Sequence, residues 1–299
     1  MTIVTPDYYK NFKCIADRCR HSCCIGWEID IDDATFNKYD NLKGDFALKL
    51  KSNIEFEGTP HFRLDTTERC PFLNSNGLCD IITNLGEDML CQICSDHPRF
   101  RNLYSDFTEV GLGLCCEAAA EIILTKKEKT SLSLTTEASQ LPILNFREKL
   151  FGILQDRSLP IKNRVNNMLS LIDAYLPVDT NWYSVFYSLE RMDKTWDDYL
   201  LRIKDGIETE ADEHSLDTAY EQLLVYLIFR HFSDCQYDGK VKERVLLAAL
   251  IYKVIKAMNT SNTLKELIEI SRLYSCEIEY SDENINRLLS ELSLYINPR

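Results

Sequence analysis

Ten of the twelve cysteines in this chain lie between Cys14 and Cys116, and only Cys235 and Cys276 fall beyond. That crowding constrains the first 120 residues more than any other feature. Thiolates bind soft metals, and several from separated loops can close one site. They stand as Cys14-x4-Cys19-x3-Cys23-Cys24, Cys70-x8-Cys79, Cys91-x2-Cys94 and Cys115-Cys116. Cys91 and Cys94 have the bite of a chelate pair for iron or zinc, and seven or more further thiols nearby turn a weak motif into a metal-binding pattern. A structural zinc site usually combines two short pairs, and Cys19-x3-Cys23 could supply the second. Single cysteines drawn from several loops suit an iron–sulfur cluster better. Cys235 and Cys276 read as small buried hydrophobes. Cys24 and Cys116, each second in an adjacent pair, read equally well as ligands or as hydrophobes.

The N-terminus, Met1 to Lys10, is polar, and the longest apolar runs, Leu223–Phe229 and Val245–Tyr252, are too short to span a bilayer. A cytoplasmic protein with no membrane partner is therefore expected, with its cysteines reduced rather than bridged. The net charge of −13 argues against nucleic acid as a partner, since phosphate binding needs clustered Lys and Arg. It keeps the chain soluble and suits a basic substrate.

The pattern is mainly α: a cysteine-rich metal-binding part over 1–128 with a few short strands, then an all-helical part over 143–299. Gly26–Ile31 and His61–Asp65 alternate like strands. Asp32 or Asp33 is placed to cap a helix running towards Leu50. Asn76-Gly77 marks a turn between Cys70–Leu73 and Leu78–Ile82. Leu85–Cys94 and Cys116–Leu124 suit short helices, and the Ser/Thr-rich stretch 130–142 reads as a linker. Beyond it, helices are expected over Phe146–Gln155, Lys162–Tyr175, Trp182–Ile207, Leu216–Phe232, Lys242–Met258, Leu264–Ser275 and Ser281–Tyr295. Leu246–Ile255 is apolar nearly all round, which predicts a central helix. Thr263 with Glu266 fits a capping box.

Familiar catalytic templates are absent. Gly111 and Gly113 form a lone G-x-G, and the five histidines make no H-E-x-x-H. Cys19-x3-Cys23 begins the usual radical S-adenosylmethionine motif, Cys-x3-Cys-x2-Cys, but Gly26 takes the third place. Around the cysteines, His21 is a surface residue or an extra ligand. Asp30 and Asp32 would share one face of a strand. Trp27 is expected to pack over the thiols, and Arg99 to pair with an anion or brace its loop.

Three blocks carry a family resemblance: Phe12–Asp32 (FKCIADRCRHSCCIGWEIDID), Cys70–Arg99 (CPFLNSNGLCDIITNLGEDMLCQICSDHPR) and Leu112–Ala119 (LGLCCEAA). In order and content they resemble the flagellin lysine-N-methylase family, FliB, and a wider class of small metal-chelating proteins with CxxxCC and CPFL patterns. The resemblance implies methylation of lysines on flagellin, or on another lysine-bearing protein, with S-adenosylmethionine as methyl donor and a [4Fe–4S] cluster; zinc is the alternative metal. It places Cys14, Cys19, Cys23, Cys24, Cys70, Cys79, Cys91, Cys94 and Cys115 on the family's cysteines. In the third block Leu114-Cys115-Cys116-Glu117 departs from the family's Ser-Cys-Pro-Glu, and His97 stands where an aromatic residue is usual. A lysine nucleophile must be neutral, so a local base or desolvation must lower its pKa, with Glu87, Asp88 and Glu117 as candidate bases. The competing reading is a non-enzymatic metal-binding module whose helical part docks a partner.

Overall fold

The computed structural model describes residues 2–135, 141–208 and 214–296. Its described residues are mainly α, with six short strands: β1 (Thr2–Pro6), β2 (Ile54–Glu55), β3 (His61–Phe62), β4 (Arg99–Leu103), β5 (Phe107–Leu112) and β6 (Leu132–Leu134). The chain packs as two compact units, one comprising 1–12, 101–115 and 119–299, the other 13–100 with 116–118. This division departs from the composition break at 128–143, of which residues 136–140 lie outside the described residues. The cause is strand pairing. β1 lies parallel to β5 (Thr2 opposite Phe107, Val4 opposite Glu109) and antiparallel to β6 (Val4 opposite Leu134). The sheet order β4-β5-β1-β6 thus draws the N-terminus and 101–115 into the helical unit. No local pattern announces these partners, because they are about 100 residues apart in sequence.

Two helices form the centre of the larger unit. Asp217–His231 and Val241–Met258 are buried on nearly every face, as their all-round apolar character requires. Pro142–Leu154, Ile161–Leu171, Leu264–Tyr274 and Asp282–Ile296 complete the unit, close to their expected spans. The Thr263 hydroxyl accepts from Glu266 N at 3.3 Å, as the capping pattern predicts. The long helix expected over Trp182–Ile207 is instead two, Trp182–Tyr187 and Lys194–Leu201. Asp193 caps the second through Thr195 N at 2.8 Å, so a local polar contact replaces helix continuation. Among the described residues no helix is long and apolar enough to cross a membrane.

Three buried carboxylates are answered by donors rather than water. Glu109, in the middle of the fully buried β5, pairs with Arg147 and accepts from Ser233 Oγ at 2.7 Å. Glu221 receives Arg164 at 2.6 Å and Arg157 at 2.8 Å. Glu279 receives Tyr226, Ser275 and His231. Removing one partner from such a pair costs about 3–5 kcal/mol, because a charge is left buried alone.

Burial holds His231 below its ordinary value, despite the hydrogen bond and charge of Glu279; Arg230 acts with burial and Asp234 against it. Burial pushes Glu279 up, but His231 and Arg230 together hold it below the carboxylate range. An unfolded chain therefore takes up a proton at position 231 below the ordinary histidine value of 6.5, and at 279 near 4.5, where the folded chain does not. Stability must fall as the pH drops through these values. The melting midpoint should decrease from pH 7.5 to 5.5, and His231→Gln, which keeps a donor towards Glu279 but cannot ionise, should shrink that decrease. An equal drop in both proteins would place the acid sensitivity elsewhere.

Candidate metal centre

The smaller unit contains little regular structure to stabilise it. Its helices are Asp33–Asn41, Asp45–Ser52, Asp80–Leu85 and Gln92–Asp96, and its only strand pair is β2 with β3. The expected strand over Gly26–Ile31 is reduced to single bridges, Ile25 to Arg69 and Asp30 to His61. The helix foreseen from Asp32 to Leu50 breaks at Gly44, whose φ of 100° suits glycine, and restarts at Asp45. What holds the unit is its core. Tyr39, Phe62 and Phe72 are fully buried and pack as successive ring pairs, with centroids 6.2 Å and 4.9 Å apart.

Five cysteines enter this same core. Cys70 and Cys91 are buried in it, and Cys24, Cys79 and Cys94 pack against it half-buried. Cys91 and Cys94 are hydrogen-bonded sulfur to sulfur at 3.3 Å. Their environments respond to one another. Burial pushes Cys70 up to about 12, and Cys24, Cys79 and Cys91 add to that rise. Burial also raises Cys79. The hydrogen bond between Cys91 and Cys94 holds Cys91 down and drives Cys94 up. Likewise the bond between Cys23 and Cys24 brings Cys24 down to about 7, with Ser22 and Arg69 helping against burial, and raises Cys23. Cys24 and Cys91 of the core set are thus held below the ordinary thiol value, towards the thiolate form that binds metal.

The backbone around these thiols is pinned by side chains. Asp32 caps the helix through Thr35 N at 3.0 Å, and its other oxygen accepts from Gln92 N at 2.8 Å, immediately after Cys91. One carboxylate therefore orders both the helix start and the Cys91–Cys94 turn. Tyr39 Oη donates to Met89 O at 2.6 Å on the other side of Cys91. Arg69 donates to the carbonyls of Leu73 and Asn74 at 3.2 and 2.9 Å, closing the loop between Cys70 and Cys79. Trp27 packs against the core as expected and donates to Cys23 O at 2.7 Å. Arg99 reaches the carbonyl of Ser95 at 3.4 Å and so braces its loop. Sequence reasoning found Asp32 as a cap but not its second bond. It had no signal for the role of Tyr39, whose partner Met89 lies 50 residues away, and did not anticipate Arg69, whose bonds to Leu73 and Asn74 close a local loop.

The remaining cysteines divide. Cys23 hydrogen-bonds Cys24 and also meets Cys14 and Cys116, but unlike Cys24 it does not pack against the core. Cys19 donates to His21 O at 3.2 Å and lies 4.0 Å from Glu117 Oε2. Glu117 accepts from Arg20 Nε at 2.7 Å and Arg20 N at 3.0 Å; burial pushes it up, yet those bonds hold it below the usual carboxylate range. An arginine-paired carboxylate of this kind is a poor base, which removes Glu117 from that role. Cys115 belongs to the larger unit, where it meets Tyr280. Cys235 is buried, as expected of a small hydrophobe, and Cys276 is half-buried beside Arg272.

Among the described residues no group of three or more His, Cys, Asp or Glu side chains stands ready to hold a metal ion as the side chains lie. The chemistry of the donor set nonetheless fits a soft metal. Five thiols from four chain segments share one aromatic-walled core, and each sulfur swings about a single χ1 torsion.

The chain is 28% identical over 166 residues to proteins named lysine-N-methylase from Salmonella choleraesuis and Salmonella typhimurium; the match covers 51% of this chain and 41% of theirs. It is also 28% identical over 153 residues to a flagellar biosynthetic protein, FliU, of Salmonella muenchen, covering 48% of this chain and 89% of that one. The chain thus matches less than half the length of the two lysine-N-methylases. No protein-family model and no solved structure matches it.

Two outcomes test the core assignment. Phe62→Ala should cost about 3–5 kcal/mol in denaturant unfolding of the full chain, since a fully buried ring is lost. Asp32→Ala should cost about 1–2 kcal/mol by removing a cap. It should also speed alkylation of Cys91 and Cys94 in the metal-free protein, whereas unchanged thiol reactivity would mean the Gln92 bond does not order that turn.

Proposed function

We propose that this chain is a protein-lysine N-methyltransferase that uses S-adenosylmethionine, acts on flagellin or another lysine-bearing protein, and holds a [4Fe–4S] cluster on its core thiols. The observation that carries the reading is the coincidence of two findings. The relatives it matches include two named lysine-N-methylases. Five of the nine cysteines that carry the family resemblance, Cys24, Cys70, Cys79, Cys91 and Cys94, gather in the smaller unit's core.

Cys24, Cys70, Cys79, Cys91 and Cys94 are the residues that would hold the cluster, with one thiol more than four irons require. Cys14, Cys19, Cys23 and Cys115 fall outside that set by their contacts. A bound cluster supplies one-electron chemistry and cross-links loops that have few other ties. The protein's own part is to keep those loops in place through Asp32, Tyr39 and Arg69, and to keep the thiols among aromatic rings away from bulk water. The acidic surface favours approach of a basic substrate segment.

A zinc ion is the second reading, and one distance favours it. A Zn–S bond near 2.3 Å gives a tetrahedral sulfur–sulfur edge of about 3.8 Å, and Cys91 and Cys94 stand 3.3 Å apart. Metal analysis of anaerobically purified protein separates the two: iron with acid-labile sulfide is expected, and zinc without either removes the cluster. Serine at Cys70, Cys79 or Cys91 should lower metal content severalfold, while Cys235→Ser should leave it unchanged. Equal loss in all four would deny the core set its special role. With labelled S-adenosylmethionine and flagellin, the metal-loaded chain should transfer label to lysine side chains. If it neither binds the cofactor nor transfers the methyl group, the non-enzymatic metal-binding module takes its place.

A further inference from the structure

The larger unit contains a buried polar network that the proposed methyl transfer does not use. Its centre is Glu279, whose side chain has no exposed surface, in a π-helical turn spanning Ser275–Glu279. Such turns are rare and occur often at functional positions. Glu279 Oε2 accepts from Tyr226 Oη and from Ser275 Oγ, each at 2.6 Å. Oε1 accepts from His231 Nε2 at 3.2 Å, and Arg230 Nε lies 4.0 Å away. Tyr226 spends its proton on Glu279, so its oxygen is free to accept. It receives Leu114 N at 3.3 Å, in the buried backbone just before Cys115. The next residue, Tyr280, reaches the same turn from the other side. Its hydroxyl stands where a side chain on Gly113 would have to go and hydrogen-bonds the Cys115 sulfur. Its ring packs 5.7 Å from the Arg230 guanidinium. Cys276, from the same π turn, donates to Cys115 O at 3.9 Å.

From this arrangement we infer that Glu279 is a positioning residue for the Gly113–Cys115 turn, acting through Tyr226 on Leu114 N and through its neighbour Tyr280 on the Cys115 thiol. The carboxylate fixes which way the Tyr226 hydroxyl points. An amide at 279 could offer Tyr226 a proton instead of accepting one, and Leu114 N would then lose its acceptor. The glycine at 113 is required by the same device, since any larger residue there displaces Tyr280. Cys115 is thereby a thiol committed to the helical unit, with a tyrosine donor on its sulfur and a fixed backbone behind it. The inference stands on the larger unit alone and does not depend on the metal or the methyl transfer.

The test is the rate at which iodoacetamide alkylates Cys115 in the folded, full-length protein, read by mass spectrometry of the Cys115 peptide. Glu279→Gln and Tyr226→Phe should each raise that rate about tenfold, the scale of one lost buried hydrogen bond. Glu279→Asp, which keeps the charge, should restore part of the protection. Glu109→Gln is the control: it disturbs a buried carboxylate of the same unit that has no bond to the turn, and should change the Cys115 rate less than twofold below its melting midpoint. Tyr226→Phe removes one oxygen and tests the same link if Glu279→Gln does not fold. The inference is overturned if the Glu279 and Tyr226 variants alter Cys115 no more than Glu109→Gln does, or if reactivity in every variant simply follows thermal stability. Metal content and methyl transfer, measured on the same proteins, report separately on the proposed function.

Discussion

Packing of thiols among aromatic rings is the constraint on which the smaller unit depends. Over residues 13–100 the longest helix has nine residues and the two strands have two each, so backbone hydrogen bonding alone cannot order it. Tyr39, Phe62 and Phe72 supply much of the apolar area, and Cys70 and Cys91 are buried in the same core. A thiol is a small hydrophobe when protonated and a strong ligand when not. The same atoms can therefore serve as core in the metal-free chain and as donors when metal is present. Single polar side chains aim the loops: Asp32 for the turn after Cys91, Arg69 for the loop before Cys79.

The larger unit solves a different problem. Its central helices are largely apolar, yet Asp217–His231 carries Glu221, β5 carries Glu109 and the π turn carries Glu277 and Glu279 into the interior. Glu109 is matched by Arg147 and Ser233, and Glu279 by Tyr226 and His231 from another helix and by Ser275 of its own turn. Buried ion pairs contribute little net stability but strongly disfavour arrangements that separate the partners. Glu109 thus ties the strand register to the helix Pro142–Leu154. Glu279 ties the π turn, through Tyr226, to the backbone ahead of Cys115. Apolar packing alone would leave both relations loosely specified.

The functional reading joins these parts without merging them. Core thiols and a 28% identity to proteins named lysine-N-methylase occur in one chain. The carboxylate once available as a base, Glu117, is instead committed to Arg20. Its work is to join the segment holding Cys19 to the turn holding Cys116, which is a structural task in a unit that has few others to perform it.

Much of this was legible residue by residue. The crowding of thiols, the caps at Asp32 and Thr263, and the helices with all-round apolar faces follow from local chemistry, because the interacting groups lie within a few positions of one another. What stayed hidden involves partners far apart in the chain. The pairing of β1 with β5, the packing of Cys24 but not Cys23 against the core, and the capture of Cys115 by Tyr280 each join segments between which no periodicity runs. Composition and spacing determined that soft-metal donors are present and that helices dominate. Only the tertiary structure decided which thiols face one another, since that depends on where the backbone of separate loops is held.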